Sequence, residues 1–135
     1  MTTIVYRTLA GTRAAVGVAE RHSVVVDRPE GRAGGMGLGF NGGELLALAL
    51  GGCLCNDLQV LAEDMGLVVE GLEIAVSLEF DGKPSRTTAA KIDIRCDLAD
   101  GKDPAELIER AKAFTNIGNS VRAGIPVTIA APGPR

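Results

Sequence analysis

The chain has 135 residues, with 14 Lys and Arg against 17 Asp and Glu and a formal net charge of −3. A mildly acidic balance argues against the clustered basic face that nucleic-acid binding needs, and with one Tyr, three Phe and no Trp there is no stacking platform for bases. The length fits a single domain, residues 1–135, which hides roughly two-thirds of the surface it exposes when unfolded, around a core that must be aliphatic.

In chain order, Thr3 to Thr8, Ala14 to Ala19 and Ser23 to Asp27 are β-branched or extended segments, separated by turns at Gly11-Thr12 and Glu20-Arg21. They predict two or three antiparallel strands. Residues 28–43 form a glycine-rich loop that lacks the Walker spacing and its Lys-Ser/Thr ending. A loop of this length in a compact domain is either a functional segment or a flexible cover. Leu45, Leu46, Ala49, Leu50, Cys53, Leu54, Leu58 and Leu61 then give a broad apolar stripe over residues 44–65, which predicts a central helix stopped at Gly66. No run reaches the ~20 apolar residues of a membrane span, because Gly51, Gly52, Asn56 and Asp57 interrupt the best candidate. No signal peptide is expected either, so the predicted location is the cytoplasm.

Two alternating strands follow. Leu72, Ile74, Val76, Leu78 and Phe80 share one face of the first, and Ile92, Ile94, Cys96 and Leu98 share one face of the second, with a turn over 81–85. Cys96 therefore reads as a core residue. Asp103-Pro104 signals a helix start, and the helix should run to about Phe114. Asn116 and Gly118 mark a break, Ser120 to Arg122 start a short turn, Ile125 to Ala130 form a last strand, and Pro132 to Arg135 fray. The order predicts an α+β fold, with antiparallel sheet around a long central helix. A homodimer is the simple way to cover the face such a helix leaves open.

Three cysteines are an odd number, spread over a chain long enough to need no staples, so a disulfide framework is not expected. One His and no Cys-x-x-Cys leave no conventional zinc site, and no cofactor is implied. Cys53 is the residue on which the chemistry turns. An unperturbed thiol is only about 3% thiolate at pH 7, so a nucleophilic role requires a nearby cation, and Arg13 and Arg32 are the two candidates. Cys55 lies about 200° around the helix from Cys53 and reads as packing. Asn56 and Asp57, three and four residues after Cys53, share its face as pocket lining; Asp57 is either that or a structural partner of an arginine, and a carboxylate beside Cys53 counts against a simple thiolate nucleophile. Glu44 is either a helix-start carboxylate or an orienter of the arginine. His22 reads as a surface or interface residue. Asn116 and Asn119 cap the broken segment or bond a ligand.

The segment Glu44 to Asp57, Glu-Leu-Leu-Ala-Leu-Ala-Leu-Gly-Gly-Cys-Leu-Cys-Asn-Asp, resembles the central-helix motif of the OsmC/Ohr family. That motif is a Glu-Leu-Leu, a run of small and aliphatic residues, then Ala/Gly-Ala/Gly-Cys. His22 to Pro29 also resembles the family's strand-to-loop segment, and the element order matches over nearly the whole chain. The resemblance implies an intertwined homodimer with active sites at the subunit interface. It implies peroxidase chemistry in which a helix cysteine attacks a hydroperoxide, a second cysteine resolves the sulfenic acid, and a dithiol reduces the disulfide. An Arg of the N-terminal sheet and a Glu at the helix start poise the first thiolate.

Carried over residue by residue, Cys53 takes the attacking position and Arg13 that of the arginine, with Arg32 its rival. Thr115 stands where the resolving cysteine belongs, with Asn116 beside it, and both, with Arg32, are candidate pocket residues. Gly43 stands where the glutamate belongs, and Glu44 is one place later, about 100° away on a helix. Two readings follow. One is a one-cysteine peroxidase for organic hydroperoxides or peroxide in stress defence, served by an external thiol. The other is a non-catalytic dimer that keeps the pocket and binds a small molecule.

Overall fold

The computed structural model describes residues 1–131; the expected frayed tail at 132–135 lies outside the described residues. The elements are β1 (Val5–Thr8), β2 (Ala15–Ala19), β3 (His22–Val26), α1 (Gly42–Asp64), β4 (Val69–Asp81), β5 (Arg86–Leu98), α2 (Ala105–Phe114) and α3 (Asn116–Ala123). This is an α+β fold with an antiparallel meander β1-β2-β3 and a separate β4-β5 hairpin. The chain divides into two compact units, Met1–Leu48 with Leu78–Ala89 and Ala49–Ser77 with Ala90–Arg135. Helix α1 and both hairpin strands contribute residues to each.

In the first unit the meander is in tight register, with Tyr6 opposite Gly17 and Gly17 opposite Val24. The Tyr6 ring lies where a side chain at position 17 would start: a Cβ there would sit 2.5 Å from a ring carbon. The glycine-rich loop after β3 is tied down rather than loose. The Asp27 carboxylate is buried and accepts the N–H groups of Arg28 (2.8 Å), Met36 (3.0 Å) and Leu38 (3.1 Å). These donors, Met36 first, then Leu38, with Arg28 behind them, hold the Asp27 carboxyl below the usual carboxylate range against the opposing effect of burial. The loop returns beside β3, where Phe40 N–H meets Val25 O at 2.9 Å. Asn41 then caps α1. Its Oδ1 accepts the Glu44 N–H and the Glu44 carboxylate accepts the Asn41 N–H, both at 2.9 Å, which is a reciprocal capping box.

In the second unit the core is aliphatic, as the composition demands. Leu54, Leu58 and Ala62 of α1 pack with Cys96 and Leu98 of β5 and with Leu107 and Ala111 of α2. Burial alternates from Leu72 to Glu79 in β4 and from Lys91 to Leu98 in β5, with Cys96 on the core face, whereas Phe80, expected on the apolar face of β4, is exposed and residues 86–91 are exposed throughout. Gly51 lets the helix approach the sheet, since a Cβ there would stand 3.0 Å from a Val76 methyl. The α1 helix ends at a left-handed Gly66. The Asp103 carboxylate accepts the Ala105 N–H at 2.9 Å, but Pro104 is the residue before the helix, so α2 starts one residue later than the Asp-Pro signal suggests.

Three expectations are corrected. The break after α2 is one residue, Thr115, and α3 is a full eight-residue helix rather than a short turn. Residues 125–131, including the expected strand Ile125 to Ala130, have no regular structure, because no strand among the described residues pairs with them. By length and composition α1 is long and apolar enough to cross a bilayer, despite Gly51, Gly52, Asn56 and Asp57. Five of its residues, from Leu50 to Ala62, are instead buried in the fold.

Candidate functional site

Cys53 lies near the middle of α1 and is half-buried. One helical turn on, at i+4, Asp57 presents its carboxylate to the same face, and the Cys53 thiol donates to Asp57 Oδ2 at 3.3 Å. The Thr115 hydroxyl also donates to Cys53 Sγ at 3.6 Å, across 62 residues of sequence. The sulfur therefore accepts from one group and donates to another. Among the described residues Asp57 forms no salt bridge. The thiol is its only hydrogen-bond donor there.

Thr115 is held from both ends. Its N–H closes α2 on Ala111 O and its carbonyl opens α3 on Asn119 N, each at 3.0 Å. The residue is buried, and its methyl group rests on Gly118, where a Cβ would come within 2.7 Å of it. Thr115 also lines a cavity of about 410 Å³ floored by Leu50, Leu54, Ile92 and Ile108, with Lys112 and Arg122 on its wall. Arg122 is anchored to Lys112 O at 3.3 Å and to the Asn119 side chain. Sequence reasoning singled out neither cation; their only signal was a basic residue at the end of each short helix.

The candidate residues divide between the units. Cys53, Asn56, Asp57, Thr115 and Asn116 belong to the second, where Cys53, Asp57 and Thr115 are in contact. Asn56 is exposed, and the Asn116 carbonyl accepts from the Ser120 hydroxyl at 2.8 Å. Arg13, Arg32 and Glu44 belong to the first unit. Arg13 is exposed, its stem crosses Gly34, and with Arg28 it lines a cavity of about 250 Å³ beside Asn41 and Gly42. Arg32 is exposed on the loop, and its backbone forms a turn with Pro29 and Gly35. Glu44 closes the capping box. Gly43 lies under the Phe80 ring, 2.9 Å from where a Cβ would be. Among the described residues no group of three His, Cys, Asp or Glu side chains is placed to hold a metal ion.

Solved structures share this fold. An OsmC-like protein from Mycoplasma pneumoniae superposes with a TM-score of 0.75 at 13% identity, over 92% of this chain and 89% of that one. The organic hydroperoxide resistance protein OhrB of Bacillus subtilis gives 0.60 at 21% identity, over 92% of both chains. An organic hydroperoxide resistance protein OsmC from Legionella pneumophila gives 0.61 at 15% identity, over 89% of both. No curated protein matches the sequence. The family model described as OsmC-like protein matches residues 34–130, from the glycine-rich loop to beyond α3. On that match the chain belongs to the OsmC-like protein family.

Proposed function

We propose that the chain is a one-cysteine thiol peroxidase that reduces organic hydroperoxides or hydrogen peroxide in oxidative or osmotic stress defence, as a cytoplasmic homodimer served by an external thiol. The observation that carries this reading is the half-buried Cys53 thiol on the central helix, bonded to Asp57 and Thr115 with no second sulfur at position 115. Fold neighbours named organic hydroperoxide resistance proteins support it.

In the proposed cycle the Cys53 sulfur attacks the outer oxygen of ROOH. The S–O bond forms as the O–O bond breaks, and ROH leaves with the thiol proton. One external thiol condenses with the sulfenic acid, releasing water and forming a mixed disulfide, and a second frees Cys53. Arg13, with Arg32 as its rival, is assigned the supply of positive charge to the sulfur, and Glu44 the start of the helix that carries it.

The test is intact mass after a stoichiometric dose of cumene hydroperoxide, on wild type and Cys53→Ser. Rapid addition of one oxygen that depends on Cys53, or a mixed disulfide when thiol is added, upholds the reading. No change within an hour sinks it. The cavity of about 410 Å³ beside Thr115 favours a second reading, a small-molecule-binding dimer. Under that reading Cys53 is inert to peroxide and a ligand screen returns a compound that raises the melting temperature. A screen without thermal shift counts against it.

A further inference from the structure

Thr115 is built to point its hydroxyl one way. A β-branched side chain has few χ1 choices, and the methyl branch is seated on Gly118, where no Cβ competes for the space. The backbone of Thr115 is fixed by one hydrogen bond to each flanking helix. The remaining branch, Oγ1, faces the Cys53 sulfur. At 3% exposure a hydroxyl without a partner would cost free energy, and Cys53 Sγ is the acceptor it has among the described residues. The polarity of the contact is set by the third group. Asp57 accepts the thiol hydrogen, so the sulfur lone pairs remain open to the Thr115 O–H. The order is hydroxyl to sulfur, then thiol to carboxylate.

We propose that Thr115 is a catalytic residue of the one-cysteine cycle: its hydroxyl is a fixed donor to the Cys53 sulfur, first as that sulfur attacks the hydroperoxide and then as the sulfenic acid that waits for an external thiol. The assignment rests on the peroxidase reading; the hydrogen bond to the sulfur does not. A hydroxyl donor stabilises negative charge as it develops on the sulfur during attack. Once the S–O bond has formed, the same O–H donates to the new oxygen or to the sulfur. A threonine has no sulfur to condense with the sulfenic acid, and Cys55 lies about 200° around the helix. The oxidised state therefore stays open to thiols from outside.

The experiment compares full-length wild type with Thr115→Val, which keeps the shape, Thr115→Ser, which keeps the hydroxyl, and Thr115→Cys. Two rates are read: alkylation of Cys53 by iodoacetamide at neutral pH, and decay of the dimedone-trappable sulfenic acid after cumene hydroperoxide. For Thr115→Val the expected result is about tenfold slower alkylation and about tenfold faster sulfenate decay, the scale of one hydrogen bond to a charged group. Thr115→Ser should recover most of both. Thr115→Cys should lose two hydrogens on oxidation, as an intramolecular disulfide with Cys53. Equal rates in wild type and Thr115→Val overturn the proposal, as does failure of the Thr115→Cys variant to crosslink under diamide. If wild type is inert to peroxide, the peroxidase reading falls, and the alkylation rates alone decide whether the hydroxyl governs the sulfur.

Discussion

At the scale of single residues, the three cysteines occupy three environments, and their chemistry should separate accordingly. Cys53 and Cys55 are half-buried on α1, whereas Cys96 faces the core from β5. Burial pushes the Cys96 thiol up, and the neighbouring Asp97 charge adds to the effect. Both disfavour the thiolate, which is the reactive form. Timed alkylation with peptide mapping should label Cys53 and Cys55 in the native protein and reach Cys96 only as the protein unfolds. Labelling of Cys96 as fast as Cys55 would contradict its place in the core. The alternation of Ile92, Ile94, Cys96 and Leu98 made this position legible in the sequence. The partnership of Cys53 with Thr115 was not, because nothing in local spacing joins residues 62 apart. The resemblance to a family brought Thr115 into view as a missing cysteine and a pocket residue. That its hydroxyl faces the sulfur is a property of the fold.

At the scale of elements, the glycine-rich loop turns on one carboxylate. Seven glycines over 28–43 suggested either a functional segment or a flexible cover, and composition cannot tell these apart. The deciding residue is Asp27, at the end of β3, which gathers the N–H groups of Met36 and Leu38 from across the loop. Its folded carboxyl titrates below the ordinary value, so the ionised form is the one the fold favours. The stability it contributes is complete above the unfolded value of about 4 and is lost as pH falls through the lower folded value. Asp27→Asn should therefore melt below wild type at pH 7, and the gap should close as the solution is taken toward pH 2. A gap of constant size across that range would show that the charge of Asp27 is not what the loop depends on. The start of α1 follows the same logic on a smaller scale. Asn41-x-x-Glu44 is a capping-box signature readable in the sequence, and it places the helix start two residues earlier than the apolar stripe alone does. The helix after Thr115 was hidden for the opposite reason. Asn116 and Gly118 are weak helix formers, and only packing shows that Gly118 makes room for the Thr115 methyl.

At the scale of the molecule, hydrophobic patterning identified the central helix, the hairpin and their shared core, since each buries one face against a neighbour in the same chain. It failed at Ile125 to Ala130. Alternation tells which side chains share a face, but a strand also needs a ladder partner, and among the described residues there is none. Ile125, Val127 and Ile129 stand 61%, 78% and 93% exposed. In the other unit β1 pairs, among the described residues, with β2 alone, which leaves one edge of the meander open there, and Val5, Tyr6 and Val18 are exposed as well. Apolar surface left uncovered on both units is what the proposed homodimer would remove from water, and a stable interface of about 1,200–2,000 Å² has room for it. A folded dimer links stability to concentration, because dilution favours the separated chains. Sedimentation equilibrium should return twice the chain mass at micromolar concentration, and the melting temperature should rise with protein concentration. Deletion of residues 125–135 should weaken the association while leaving the second unit's core untouched, since none of its buried residues lies in that segment. A monomer mass with a concentration-independent melting temperature would remove the dimer from the reading and leave these side chains exposed in the working protein.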